Sequence, residues 1–146
     1  MDGTMLPVTL MAAGGSALIA FWLALRTGSA RRAAKVSIGD GGDMKLIARM
    51  RAQANFTEYV PFILILIALI EVTTGTSTWL WIAGALLLVG RVAHGLGMDG
   101  LRGGRSFGTA TTFLLLVGLG LYAVAIPLLA SHTPKPTVLT TVPAQG

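Results

Sequence analysis

Arg51, Asn55 and Glu58 stand at i, i+4 and i+7 in the stretch Arg51-Ala52-Gln53-Ala54-Asn55-Phe56-Thr57-Glu58-Tyr59-Val60-Pro61. On a helix that spacing puts a guanidinium, an amide and a carboxylate on one face. Arg91, His94 and Met98 form a second such row, and Arg105-Ser106 open a later apolar run. An arginine fork takes a carboxylate bidentately, a glutamate takes an ammonium, and an asparagine both donates and accepts. A small zwitterionic or anionic peptide with carboxylates and an amine would satisfy all three. A further arginine beside a ligand thiol would lower its pKa from about 8.5 and raise the thiolate fraction. Arg105 or Arg102 could fill that role. Residue types alone do not choose between one small anionic ligand and another.

The elements that must carry these residues are membrane helices. Of 146 residues, 53% are hydrophobic and 12% charged, against about 25% charged in a soluble domain. So few charges cannot cover a water-facing surface. The length excludes a large multidomain enzyme and, at roughly 20 residues per span, allows four helices with connections. The absence of cysteine excludes a disulfide framework, a thiolate metal site and a cysteine nucleophile, and two histidines, His94 and His132, leave no ordinary zinc cluster. The net charge of +5 comes from 11 basic and 6 acidic residues. The basic residues fall between apolar runs, where they read as topology signals and not as a nucleic-acid surface.

Met5 to Leu25 and Phe107 to Ala130 are uncharged runs long enough to span. A signal peptide is the rival reading of the first, but its leading residues carry no Lys or Arg and the basic residues follow the apolar run. Tyr59–Ile70 and Trp79–Gly90 are too short alone, so each must extend into a polar half-helix, Asp43–Phe56 before the one and Arg91–Met98 after the other. Connections fall at Ser37–Gly42, with Asp43 as an N-cap, at Thr73–Thr78 and at Asp99–Gly104. The expected organisation is one four-helix transmembrane domain over residues 1–130 and a disordered Ser/Thr/Pro tail over 131–146. Ten Lys and Arg around the first and third loops against Lys135 alone on the other side put both long loops in the cytoplasm and both termini outside. Trp79 and Trp81 would then anchor the third helix at the outer interface.

Three helices therefore bring Arg51, Asn55, Glu58, Arg91, His94 and Arg105 to one cytoplasmic depth. The plain alternative is that Arg51 and Arg91 snorkel to the headgroups and Glu58 pairs with one of them. That reading suits Arg31, Arg32, Lys45 and Arg49. Glu58, one residue before an unbroken apolar run, lies too deep to go without a partner, so a binding role is expected there.

These motifs resemble those of the membrane-associated proteins in eicosanoid and glutathione metabolism. Arg51-x-Gln53-x-Asn55-x-x-Glu58-x-x-Pro61 looks like the family's second-helix signature. Val89-Gly90-Arg91-Val92-Ala93-His94 and Arg105-Ser106 look like the third- and fourth-helix motifs of its prostaglandin E synthase branch, and the loop Lys35–Gly42 like that of bacterial members. The match runs through roughly residues 5–130. It implies an all-α membrane protein, a four-transmembrane-helix bundle that assembles as a homotrimer in a bacterial inner membrane. Glutathione would lie between subunits near the cytoplasmic side as co-substrate, with a hydrophobic small molecule as second substrate. Carried over by position, Arg51, Gln53, Asn55, Glu58, Tyr59, Arg91 and His94 bind glutathione, while Arg105, with Ser106 beside it, stabilises the thiolate. Some members have tyrosines where this chain has His94 and Met98, and Met98 offers no hydroxyl. The Arg102-Gly103-Gly104-Arg105 spacing is shorter than in the prostaglandin branch.

The function expected from this resemblance is a glutathione-dependent transferase or peroxidase whose thiolate attacks a hydrophobic electrophile or hydroperoxide. One alternative is a non-catalytic scaffold binding a lipid or partner in the same crevice. Another is a small multidrug-type carrier with Glu58 as its proton-coupled site. Gly84, Gly90, Gly95, Gly118 and Gly120 read as close-packing positions.

Overall fold

The computed structural model describes residues 5–130, so the expected tail over 131–146 lies outside the described residues. Four helices follow one another: α1 (Pro7–Ala34), α2 (Met44–Thr74), α3 (Thr78–Met98) and α4 (Gly104–Ala130). All four are long and apolar enough to cross a membrane. The two short apolar runs do extend into polar half-helices, and α3, at 21 residues, is about 32 Å long, close to the hydrocarbon thickness of a bilayer. The longer α2 carries its extra turns at the end that holds Arg51. Asp43 caps α2 as its sequence position suggests, accepting the Leu46 N–H at 2.7 Å. The second connection is shorter than expected because α2 runs on to Thr74.

Helices α2 and α3 touch each other and both touch α1 and α4, while α1 and α4 make no contact. The core lies along the central pair. On α2, Phe56, Val60, Ile63, Ile67 and Ile70 are buried, a stripe at alternating steps of four and three. They meet Val8, Ala12, Ile19 and Leu23 of α1, Leu80, Ala83 and Leu87 of α3, and Leu115 and Leu119 of α4. Another stripe on α2 follows the same steps on a different face: Arg51, Asn55, Glu58, Phe62, Ile65, Leu69 and Val72. All but the half-buried Asn55 are exposed. The outer stripe is polar at Arg51, Asn55 and Glu58 and apolar from Phe62 to Val72, as befits a segment with protein on one side and lipid or another chain on the other.

Two carboxylates tie the ends. At one end Glu71, 2% exposed, accepts the backbone N–H of Val8 at 3.1 Å and of Thr9 at 2.8 Å, and the hydroxyls of Thr9 at 2.7 Å and Thr76 at 2.8 Å. It thereby caps α1, whose own N-cap, Leu6, has no capping side chain. At the other end Asp99 pairs with Arg26 of α1 and with Arg49 of α2, whose Nε and Nη2 donate to it at 3.2 and 3.1 Å. Arg49 also donates to the Arg26 carbonyl at 3.0 Å.

Candidate functional site

The α3–α4 hairpin closes on backbone. A Cβ on Gly108 would come to 2.5 Å from both the Gly90 carbonyl oxygen and the His94 Cβ, and one on Gly104 to 2.6 Å from the Ala93 oxygen. Gly97 lies against the backbone of Arg105 in the same way. This approach, open only to glycine, sets Arg105 beside the last turns of α3. Of the glycines expected to pack, Gly84, Gly90 and Gly95 do, whereas Gly118 and Gly120 meet nothing within 4 Å.

Across this hairpin from α2, Arg51, Asn55, His94, Met98, Arg105 and Thr109 line a cavity of about 350 Å³. Three helices contribute to it at the end where the two long loops lie. Among the described residues no acidic side chain lines it. Arg51 and Arg105 are exposed into it, His94 is buried, and Arg91 and Arg105 are both within electrostatic reach of His94. A second recess of about 450 Å³ shares Arg105 and Thr109 and adds Ser106 and Ala110. Arg105 thus stands on the wall common to both, while Arg102 is exposed in the α3–α4 loop and lines neither.

Of the residues singled out by sequence, the structure brings Arg51, Asn55, His94 and Arg105 together. Ser106 lies in the adjoining recess. Arg91 sits behind the wall and donates twice to Asn55. Tyr59 packs edge-to-face on Phe113 of α4, with ring centroids 5.6 Å apart. Gln53, half-buried, lines neither cavity. Glu58 is exposed on the outer stripe of α2 and has no ion-pair partner among the described residues. The pairing of Glu58 with Arg51 or Arg91, one of the sequence alternatives, does not occur within the chain. Thr109 was missed, although it stands four residues after Arg105 on the same face.

The chain belongs to the MAPEG family, whose profile matches residues 9–125, from α1 into α4. It is 38% identical over 61 residues to the inner membrane protein YecN of Escherichia coli strain K12, and equally to YecN of Escherichia coli O6:H1. That similarity covers 41% of this chain and 46% of the relative, so the chain spans under half the length of the curated relatives it matches. No solved structure matches significantly. The protein is an integral membrane protein of this family.

Proposed function

We propose that the protein is a glutathione-dependent membrane enzyme, a transferase or peroxidase, working as a homotrimer in a bacterial inner membrane with its long loops in the cytoplasm. The observation that carries this reading is the cavity walled by Arg51, Asn55, His94 and Arg105 without an acidic residue. Glutathione brings two carboxylates, an ammonium and a thiol. Arg51 offers a fork for a carboxylate, and Glu58, exposed one turn beyond Asn55, is the group for the ammonium. Arg105 holds the sulfur as thiolate. Lowering a thiol pKa from about 8.5 to about 7 raises its thiolate fraction at neutral pH from about 3% to about half.

The second recess, beside Ser106 and Ala110, admits the hydrophobic co-substrate. The thiolate sulfur forms the new bond to its electrophilic carbon or peroxide oxygen as the leaving group departs with the bonding pair. Catalysis is then thiolate stabilisation and positioning, without a covalent enzyme intermediate. The outer stripe of α2 supports the trimer, because it exposes Arg51 and Glu58 in line with Phe62, Ile65 and Leu69. A neighbouring copy would cover that charged pair at the bilayer edge. The inner-membrane placement draws on the name of the Escherichia coli relative.

The test is ultraviolet difference absorbance at the thiolate band during glutathione titration of detergent-purified protein, with binding followed by calorimetry. A saturable thiolate signal is expected, lost in Arg105→Ala while binding persists. Absence of both signal and binding overturns this reading in favour of the non-catalytic scaffold.

A further inference from the structure

Arg91 lies behind the cavity and not in its wall. It is 2% exposed, and its Nη1 and Nη2 each donate to Oδ1 of Asn55 at 3.0 Å. A guanidinium carries five donors and no acceptor. The face of Asn55 turned towards it is therefore the amide oxygen and not the NH2 group. The NH2 group then turns away from Arg91, and Asn55 is one of the residues walling the cavity.

We infer that Arg91 is a positioning residue: it fixes the Asn55 amide so that the cavity meets N–H donors there and no acceptor. This rests on the proposed glutathione site and names the ligand chemistry that the α2 side of that site selects. Arg51 and Arg105 also only donate. The ligand group seated at Asn55 is therefore a carboxylate or a peptide carbonyl, and an ammonium is excluded from that position. Its place is at Glu58, outside the cavity. The guanidinium behind the wall reinforces this choice. No carboxylate meets it among the described residues, and its Nε is buried without a hydrogen-bond partner. Its charge is therefore not neutralised by the protein and acts on whatever occupies the cavity. Removing Asn55 alone would leave a buried, unpaired cation, so the pair is coupled in stability as well as in recognition.

The experiment uses the full chain in detergent, with variants Arg91→Lys, Arg91→Met, Asn55→Ala, Asn55→Asp and the double variant Arg91→Met/Asn55→Ala. Two quantities are read. The first needs no ligand: exchange with water of the Asn55 side-chain amide protons by nitrogen-15 NMR, the signal identified by its loss in Asn55→Asp. Ready exchange is expected, since the amide faces the cavity, and slow exchange of a buried amide overturns the inference.

The second quantity is glutathione affinity. Asn55→Asp should fold at least as well as the parent, because its carboxylate pairs with Arg91, yet weaken glutathione about tenfold or more by presenting an acceptor. Arg91→Met and Asn55→Ala should each weaken binding, with the double variant no worse than the poorer single one. Arg91→Lys, which still donates, should keep most of the affinity. Additive losses, or parental affinity in Asn55→Asp, overturn the inference. Should Arg91→Met not fold, the Lys and Asp variants decide the matter. Failure of the parent to bind glutathione sinks the proposed function instead, and the exchange rate still decides the amide orientation.

Discussion

Glu71 of α2 serves as the N-terminal cap of α1 through Thr9, taking its backbone N–H at 2.8 Å and its hydroxyl at 2.7 Å on the same oxygen. The first turn of a helix leaves N–H groups without intrahelical partners, and in a bilayer there is little water to serve them. A carboxylate from the next helix meets that need and is favoured by the positive end of the helix dipole.

Replacing Glu71 by Ala strands two N–H groups and two hydroxyls. The expected loss is about 1–3 kcal/mol of stability, read as a lower melting temperature in detergent. Thr9→Val should cost less, since both backbone N–H bonds and the Thr76 hydroxyl bond to Glu71 remain. Glutathione affinity in folded Glu71→Ala should equal that of the parent, because the cavity lies at the opposite end of α2. A change in affinity without a change in melting temperature would contradict this assignment.

Asp99 is the acid-sensitive clasp. Burial works to raise its carboxyl, but the hydrogen bonds and charges of Arg49 and Arg26 outweigh that and hold it below its ordinary value of 3.8. A carboxyl whose pKa is depressed on folding contributes stability that is present above the unfolded value and lost as pH falls through the folded one. The melting temperature of the parent should therefore fall more steeply than that of Asp99→Asn as pH drops below about 4. At pH 7 the variant should be the less stable of the two. High salt should narrow that gap, since the carboxylate side chain is 28% exposed. Parallel acid limbs in the two proteins would remove the clasp.

Glu58 should behave unlike Glu71. Because it is exposed and has no ion-pair partner among the described residues, Glu58→Gln should change the stability of the fold by no more than about 0.5 kcal/mol. It should weaken glutathione by about tenfold, through loss of the charged partner for the ammonium. Calorimetry and thermal unfolding on the same preparation check both halves. A large stability loss with unchanged binding would make Glu58 a structural residue.

Gly108 and Gly118 separate packing within the chain from packing between chains. Gly108→Ala drives a methyl group into the Gly90 carbonyl and His94, at a cost of about 1–3 kcal/mol, and should impair glutathione binding by displacing His94. Gly118→Ala meets no atom of the described residues within 4 Å, so the fold should tolerate it. Size measured by light scattering then shows whether α4 at Gly118 faces another subunit. If it does, the Ala variant dissociates while its helices stay intact.

The helices and the polar stretch of α2 were legible because they depend on neighbours in sequence. Run length predicts the spans, and steps of three and four place Arg51, Asn55 and Glu58 together. The ties between helices were not. Glu71 meets Val8 and Thr9, and Asp99 meets Arg26 and Arg49, across separations that no local pattern encodes. The two glutamates of α2 show the difference most clearly. The sequence gives Glu58 a binding role inside the bilayer and no signal that marks Glu71. Thirteen residues apart, they point roughly 220° from each other round the helix, so when one faces the bundle the other faces out. Which one is inside depends on the rotation of α2 against α1 and α3, which only packing decides. That Arg105 and not Arg102 lines the cavity likewise depends on the glycine contacts that seat α4 against α3.

Both clasps on α1 come from residues synthesised after it. Its first turn waits for Glu71 at the end of α2 and its Arg26 side chain for Asp99 beyond α3, so α1 is fastened first at one end and later at the other. At roughly 5–20 residues per second, the interval from Ala34 to Asp99 lasts about 3–13 s. During that time the Arg26 end of α1 gains α2 beside it, with Arg49 donating to the Arg26 carbonyl, but lacks its carboxylate. Only when the α3–α4 turn emerges does the second clasp close, so the first helix made is fully tied only after three of the four helices exist.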